Sequence, residues 1–254
     1  LKLAVGAAAE AVDIFTRILS IETASDRRRA ARLNLAVALQ ALGRAGEAEP
    51  ILQSLLAEAP EDAAVLNNLG NALRQLNRPE EAASALRRAA AIDPDLADAR
   101  YNLGAVLADL NDIDGAHSEF RAAARLQPGH IKAEWQEALA LPQIYSSADH
   151  AARCRAGYLA GLERIAARVA TAPASDAPAL LAAVTEITPF ALAYQGENDL
   201  QPMHRFGDMI AFIVARNFPR YAEPRSAATG QRKRLGFVSA HFRAHTVAHL
   251  FQGW

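Results

Sequence analysis

Three asparagines, Asn34, Asn68 and Asn102, recur in the sequence at an interval of 34 residues. A side-chain amide both donates and accepts hydrogen bonds, so it can bind the backbone of a polypeptide whatever its side chains are. Asparagine is also unfavourable inside a helix, because its amide competes for backbone groups. Three asparagines in one register therefore predict a selected placement. They either form a peptide-binding ladder along a groove or make intramolecular bonds to the neighbouring repeat.

Three histidines near the end of the sequence, His241, His245 and His249, are spaced by four residues. On a helix they would share one face and could hold zinc. The sequence disfavours this interpretation, because the first two fall in a predicted loop and no Cys, Asp or Glu completes a set of ligands. The alternative is that they are ordinary surface or core histidines.

The interval of 34 residues extends well beyond the asparagines. It is shared by leucines, small residues and closing prolines, which include Leu39, Leu73 and Leu107, Ala48, Ala82 and Ala116, and Pro60, Pro94 and Pro128. Such a period is typical of tetratricopeptide repeats, in which pairs of helices stack into a superhelix with a concave groove. Three repeats cover residues 29–130. An imperfect fourth one, of which Ala11, Phe15 and Leu19 mark the second helix, precedes them.

Within a repeat, each residue type has a predicted place. Gly70 and Gly104 allow the second helix to approach closely, and Ala82 faces that gap from the other side. The segment from Asn77 to Glu80 forms the turn between the helices, since proline at position 79 suits a first helical turn. Three asparagines that break the register are predicted to cap helices or to lie on the surface; they are Asn67, Asn71 and Asn111.

The composition limits the classes of function. The chain has 254 residues and a net charge of −1, so its charge indicates neither a nucleic-acid partner nor a membrane partner. No apolar run approaches the length that spans a bilayer. The single cysteine, Cys154, excludes an internal disulfide and favours a reducing, cytoplasmic location, with the thiol acting as a small hydrophobe in a helix.

The sequence pattern divides the chain into three predicted parts. Residues 1–133 form the repeat solenoid, and residues 134–230, which lose the period of 34, form a helical connector. The helices of the connector are predicted around Trp135, from about 149 to 169, on both sides of Pro189, and from about 200 to 217.

The predicted secondary structure changes from helix to strand in residues 231–254. A basic lead-in precedes the apolar run 235–239, which is predicted to be a buried strand, and a loop follows at residues 240–246. A strand, a loop and a helix in this order open a Rossmann-like α/β domain, in which ligands bind at the carboxyl ends of the strands. The predicted fold class is therefore all-α, ending in the first strand of such a domain.

The chain resembles the N-terminal part of SPINDLY-type and O-linked N-acetylglucosamine transferase-like proteins. The likeness rests on the asparagine triplets, on the connector segments 141–147 and 190–199, and on residues 235–246. It implies that a longer parent protein moves a sugar from a nucleotide donor, UDP-N-acetylglucosamine or GDP-fucose, to Ser or Thr of an acceptor protein held in the groove. Helix N-termini and basic residues beyond position 254 would bind the donor's phosphates. No metal is implied.

The resemblance also assigns a role to His245, which matches a histidine of the family that faces the active site and serves as a base or positions the acceptor hydroxyl. Members with N-acetylglucosamine activity often have proline after this histidine, whereas this chain has Thr246, and plant members related to protein O-fucosyltransferases have serine. The sugar donor is therefore left open. The 254 residues alone are expected to be inactive, because one strand cannot form a donor pocket. An alternative function is that of a non-catalytic tetratricopeptide adaptor that binds peptides.

Overall fold

The computed structural model describes residues 2–184 and 189–219, and every regular element within these ranges is helical. The predicted all-α fold is thus confirmed for this part of the chain, and none of its helices is long and apolar enough to cross a membrane. The predicted strand and the three histidines lie outside the described residues. The helices are α1 (Lys2–Ile21), α2 (Ser25–Ala41), α3 (Ala45–Glu58), α4 (Ala63–Gln75), α5 (Pro79–Ile92), α6 (Ala97–Asp109), α7 (Ile113–Leu126), α8 (Ile131–Leu139), α9 (Ala148–Thr171), α10 (Ala177–Val184) and α11 (Leu200–Asn217), with short 3₁₀ turns at Ala174–Asp176 and Pro189–Gln195.

The first seven helices form the predicted repeats. Each repeat is an antiparallel pair, α2 with α3, α4 with α5, and α6 with α7, and successive pairs pack on each other. Helix α1 packs on α2, as expected for the second helix of a preceding repeat. The first helices of the three pairs, α2, α4 and α6, also contact one another along the array.

The glycines of the repeats lie where the two helices of a pair approach most closely. A β-carbon at Gly70 would lie 2.5 Å from Cγ of Leu86, and one at Gly104 would lie 2.8 Å from the ring of Phe120. The close approach predicted from the sequence is therefore confirmed, although the group opposite Gly70 is Leu86. Ala82, which was predicted to face it, is buried in the same core.

The turn inside each pair uses a residue in the left-handed conformation. Gly43, Asn77 and Asn111 have φ angles of 73°, 58° and 62°. Glycine adopts this conformation without a steric penalty, and asparagine tolerates it better than most residues do. Pro79 is the first residue of α5, as the sequence predicts.

Helices α8 to α11 enclose a second hydrophobic core. Its largest fully buried side chains are Trp135, Tyr158, Leu139, Leu162, Leu180, Leu192 and Ile213. The predicted boundary at residue 133 falls inside α8, which packs on α7 and also contributes Trp135 to this core. Residues up to Asn217 accordingly belong to one compact unit.

Helix α9 lies against α8 at an unusually small distance. A β-carbon at Gly161 would clash with the main-chain oxygen of Ala138, so only glycine fits without moving a backbone. Gly157, one turn earlier in the same helix, is exposed and has open space around it.

These two glycines provide a matched test of the packing between α8 and α9. Gly161→Ala should lower the free energy of unfolding by about 1–3 kcal/mol or more, because the added methyl group overpacks the contact. Gly157→Ala should raise it by up to about 1 kcal/mol, because alanine is the better helix former. Urea denaturation of both variants measures the difference, and equal effects would show that the helices do not pack this closely.

A candidate peptide-binding face

The three asparagines of the register lie on the first helices, on the side away from the second helix of each pair. Each one precedes the small residue of its repeat by two positions, which is about 200° around a helix. Because Gly70 and Gly104 face the second helix, Asn68 and Asn102 point to the opposite side. Asn34 is exposed and the other two are half-buried. Since α2, α4 and α6 contact one another, the asparagines form one row, called here the amide row.

Two members of the amide row make hydrogen bonds within the protein. Nδ2 of Asn68 donates to the main-chain oxygen of Ala64 in its own helix, at 2.8 Å. Nδ2 of Asn102 donates to Oδ1 of Asn67 in the neighbouring repeat, at 2.9 Å. One amide hydrogen of Asn102 is therefore used in a bond to the neighbouring repeat, as the intramolecular alternative predicts. Each bond uses only one of the two amide hydrogens, and peptide binding by the row stays a prediction.

Asn67 was predicted to be a cap or a surface residue, and this is wrong. It is buried, with 9% of its surface exposed. It stands one turn before Gly70 and therefore lies on the packed side of α4. Gln40 of α2 is buried in a similar way, and its Nε2 donates to the main-chain oxygen of Asn68 at 3.1 Å. These two amides tie the first helices together beneath the amide row.

Asn111, which also lies outside the register, binds the backbone of residues 143 and 144 in the connector. Its Oδ1 accepts from the backbone N–H groups of Gln143 and Ile144, at 2.8 and 3.0 Å. Its Nδ2 donates to the main-chain oxygen of Ile144 at 2.9 Å. The predicted position at a helix end is confirmed, since the residue follows Leu110, the C-terminal cap of α6.

The connector segments 141–147 and 190–199 meet at Gln195, which also binds Arg155 of α9, an arginine that the sequence did not point to. Its guanidinium donates to Oε1 of Gln195 at 3.0 Å, to Oδ1 of Asp199 at 2.6 Å and to the main-chain oxygen of Asn198 at 3.0 Å. Nε2 of Gln195 donates in turn to the hydroxyl of Tyr145 at 2.7 Å. One arginine thus joins residues 195–199 to α9, and the glutamine extends the network to the 141–147 segment.

The titratable groups beside this network stay protonated at neutral pH. Burial raises the pKa of the Cys154 thiol, and the nearby charge of Asp114 raises it further. Burial and the charge of Asp199 raise the pKa of Tyr158 to about 12. A neutral thiol and a neutral phenol are poor nucleophiles and poor bases. No group of His, Cys, Asp and Glu side chains within the described ranges is arranged to hold a metal ion.

Comparison with protein families identifies the first half of the chain. Models described as tetratricopeptide repeat match residues 2–72 and 97–130, and one described as TPR repeat matches residues 70–111. Residues 2–130 are therefore an array of tetratricopeptide repeats. No curated protein sequence matches the chain.

Solved structures share the fold of this array. A MamA structure aligns over 66% of this chain and 88% of its own, with 22% identity and a TM-score of 0.51. A mutant O-GlcNAc transferase of Thermobaculum terrenum is 28% identical over 52% of this chain, with a TM-score of 0.45. A MamA RS-1 double mutant is 24% identical over 48% of this chain, with a TM-score of 0.41. The aligned part covers 27% of the transferase and 66% of the MamA mutant.

The network at Arg155 should contribute to the stability of the connector. Arg155→Gln should lower the free energy of unfolding by about 1–3 kcal/mol, because it leaves the half-buried Asp199 carboxylate without its ionic partner. Arg153→Gln is the matched control, since this arginine is exposed in the same helix, and it should change stability by less than about 0.5 kcal/mol. Chemical denaturation compares the two variants. Equal losses of stability in the two arginine variants would contradict the assignment. So would a double variant, Arg155→Gln with Asp199→Asn, whose loss of stability equals the sum of the two single losses.

Proposed function

We propose that the amide row binds an extended segment of a partner polypeptide, and that the chain is the acceptor-holding part of a protein O-glycosyltransferase. Peptide binding by the amide row is inferred from the regular spacing of its three asparagines. Three asparagines stand at equivalent positions on three adjoining helices, on the side that does not pack against the second helices.

The geometry of the row suits a peptide backbone. Neighbouring packed helices are about 8–10 Å apart, and an extended chain advances about 3.3 Å per residue. One asparagine would therefore meet about every third residue of the bound segment. Each hydrogen bond would contribute about 0.5–1.5 kcal/mol net. Binding of this kind is weak at each contact and indifferent to the side chains of the partner.

The sequence resemblance supports the second half of the proposal. In the parent enzyme, the oxygen of an acceptor Ser or Thr attacks the anomeric carbon of the donor sugar, and the bond from that carbon to the nucleoside diphosphate breaks. His245 accepts the proton of the hydroxyl or positions it. The donor is UDP-N-acetylglucosamine or GDP-fucose, and Thr246 beside the histidine leaves both open.

A non-catalytic adaptor is the second candidate. The side chains of the amide row favour this candidate, because they are uncharged amides that can bind a polypeptide without reacting with it. The two candidates share the same binding face and differ only in whether sugar transfer follows.

Replacing the amide row tests the binding half of the proposal. Asn34→Ala combined with Asn68→Ala should weaken capture of acceptor polypeptides by roughly 5- to 100-fold, which corresponds to two lost hydrogen bonds. Within the described residues, neither side chain makes a hydrogen bond to a neighbouring repeat. The melting temperature should therefore stay nearly unchanged. Capture is measured by titrating an unstructured labelled polypeptide.

Asn67→Ala is the control for this experiment. It removes the partner of Asn102 beneath the row, so it should lower the melting temperature and affect capture less. A double variant that melts early while capture is unaltered would instead support a purely intramolecular role for the asparagines.

His245 tests the catalytic half. In the enzyme that carries the complete catalytic region, His245→Ala should reduce transfer by about 10²- to 10⁴-fold, the usual contribution of a general base, while donor binding survives. His241→Ala should do less. Transfer is followed with labelled nucleotide sugars. Near-normal turnover after His245→Ala, or a larger loss at His241, would show that the site is assigned to the wrong residue.

A further inference from the structure

We propose that helices α7, α8 and α9 form a second contact surface, which binds an acidic segment of a partner polypeptide. This surface, called here the arginine groove, is a depression of about 330 Å³ with Ala124 and Ile165 among its apolar lining residues. Its charged residues are Arg121 and Arg125 from α7, Glu134 and Glu137 from α8, and Arg164 and Arg168 from α9. It lies outside the amide row and does not depend on the function proposed for that row.

The arginine groove carries more positive than negative charge. Two arginines share one carboxylate, since Nη2 of Arg121 lies 3.0 Å from Oε1 of Glu137 and Nη2 of Arg164 lies 2.8 Å from Oε2. Arg168 pairs with Glu134. Four guanidinium groups therefore face two carboxylates, which leaves an excess of two positive charges.

Arg125 is the arginine of the groove best placed to bind an anion. It is exposed and makes no ion pair within residues 2–184 and 189–219. It follows Arg121 by four residues on α7, so the two like charges are neighbours on one face, an arrangement that is unfavourable in an isolated helix. An anion bound between them would remove this repulsion.

The donors of the groove suit carboxylates. A guanidinium group has five N–H donors in a fixed plane and binds a carboxylate with two of them. In an extended peptide, alternate side chains point to the same face, about 7 Å apart. A segment with two acidic residues at alternate positions would neutralise the excess charge of the groove.

A nucleic acid fits the groove less well. Glu134 and Glu137 lie in the groove and would repel a row of phosphates, and no aromatic side chain among the lining residues offers a base a stacking surface. The net charge of the whole chain, −1, also gives a polyanion no general attraction.

The test uses a labelled peptide of seven residues with glutamates at its third and fifth positions and glycine or serine elsewhere. Fluorescence polarisation at low salt should show saturable binding, which a peptide with glutamines at the same positions lacks. Arg121→Gln combined with Arg125→Gln should weaken binding roughly fivefold, the expected loss of two solvent-exposed ion pairs. Arg125→Gln alone, which disturbs no ion pair described in the protein, should weaken it about twofold.

Two exposed arginines elsewhere provide the matched control. Arg17→Gln combined with Arg87→Gln changes the net charge equally and should leave binding within the error of the measurement, as should the changes in the amide row. The proposal is overturned if the peptide fails to saturate, or if the control pair weakens binding as much as the groove variants do. It is also overturned if a single-stranded oligonucleotide of equal charge binds more tightly than the peptide.

Discussion

In the second and third repeats, the two helices approach through one apolar side chain of the second helix and the glycine that it meets on the first. Leu52, Leu86 and Phe120 occupy equivalent positions and are almost completely buried. Burying such a side chain stabilises the fold by about 1.5–3 kcal/mol, but only if nothing on the facing helix occupies the space. Gly70 and Gly104 leave it free.

This contact also determines which residues are available for binding. Once the small residue faces the second helix, the rotation of the first helix is fixed, and a residue two positions earlier must point away from the pair. A residue three positions earlier must instead lie on the packed side. Asn68 and Asn67 are neighbours in the sequence, but the first stands in the amide row and the second is buried against the next repeat.

The sequence was sufficient for features that depend on the period of 34 residues. The helix pairs, the turn at Asn77 and the close approach at Gly70 and Gly104 could all be predicted, because each is local and repeats. The burial of Asn67 could have been predicted as well, from its position relative to Gly70. The equivalence of Gly43, Asn77 and Asn111 follows the same interval and was available in the sequence.

The connector could be predicted only as a series of helices. Arg155 bonds to residues 40 to 44 positions away, and Gln195 reaches Tyr145 across 50 positions. Contacts of this kind leave no periodic signal, and one arginine among many exposed ones gives no sign of its partners. Gly161 and Gly157 likewise look the same in the sequence, although only Gly161 lies against a backbone oxygen.

Two surfaces of the described helices carry polar groups that suit recognition of a polypeptide. Beside the Arg155 network, the thiol of Cys154 and the phenol of Tyr158 are kept neutral by burial and by neighbouring carboxylates. The two surfaces differ in the groups they offer, which are amides along the first helices and guanidinium groups on α7 and α9. The amides would bind any extended backbone, whereas the arginine groove would distinguish partners by their acidic side chains. Specificity is a difference between the affinities for two partners. The amide row would bind most polypeptides equally, so selectivity would come from the charge-dependent contact at the arginine groove.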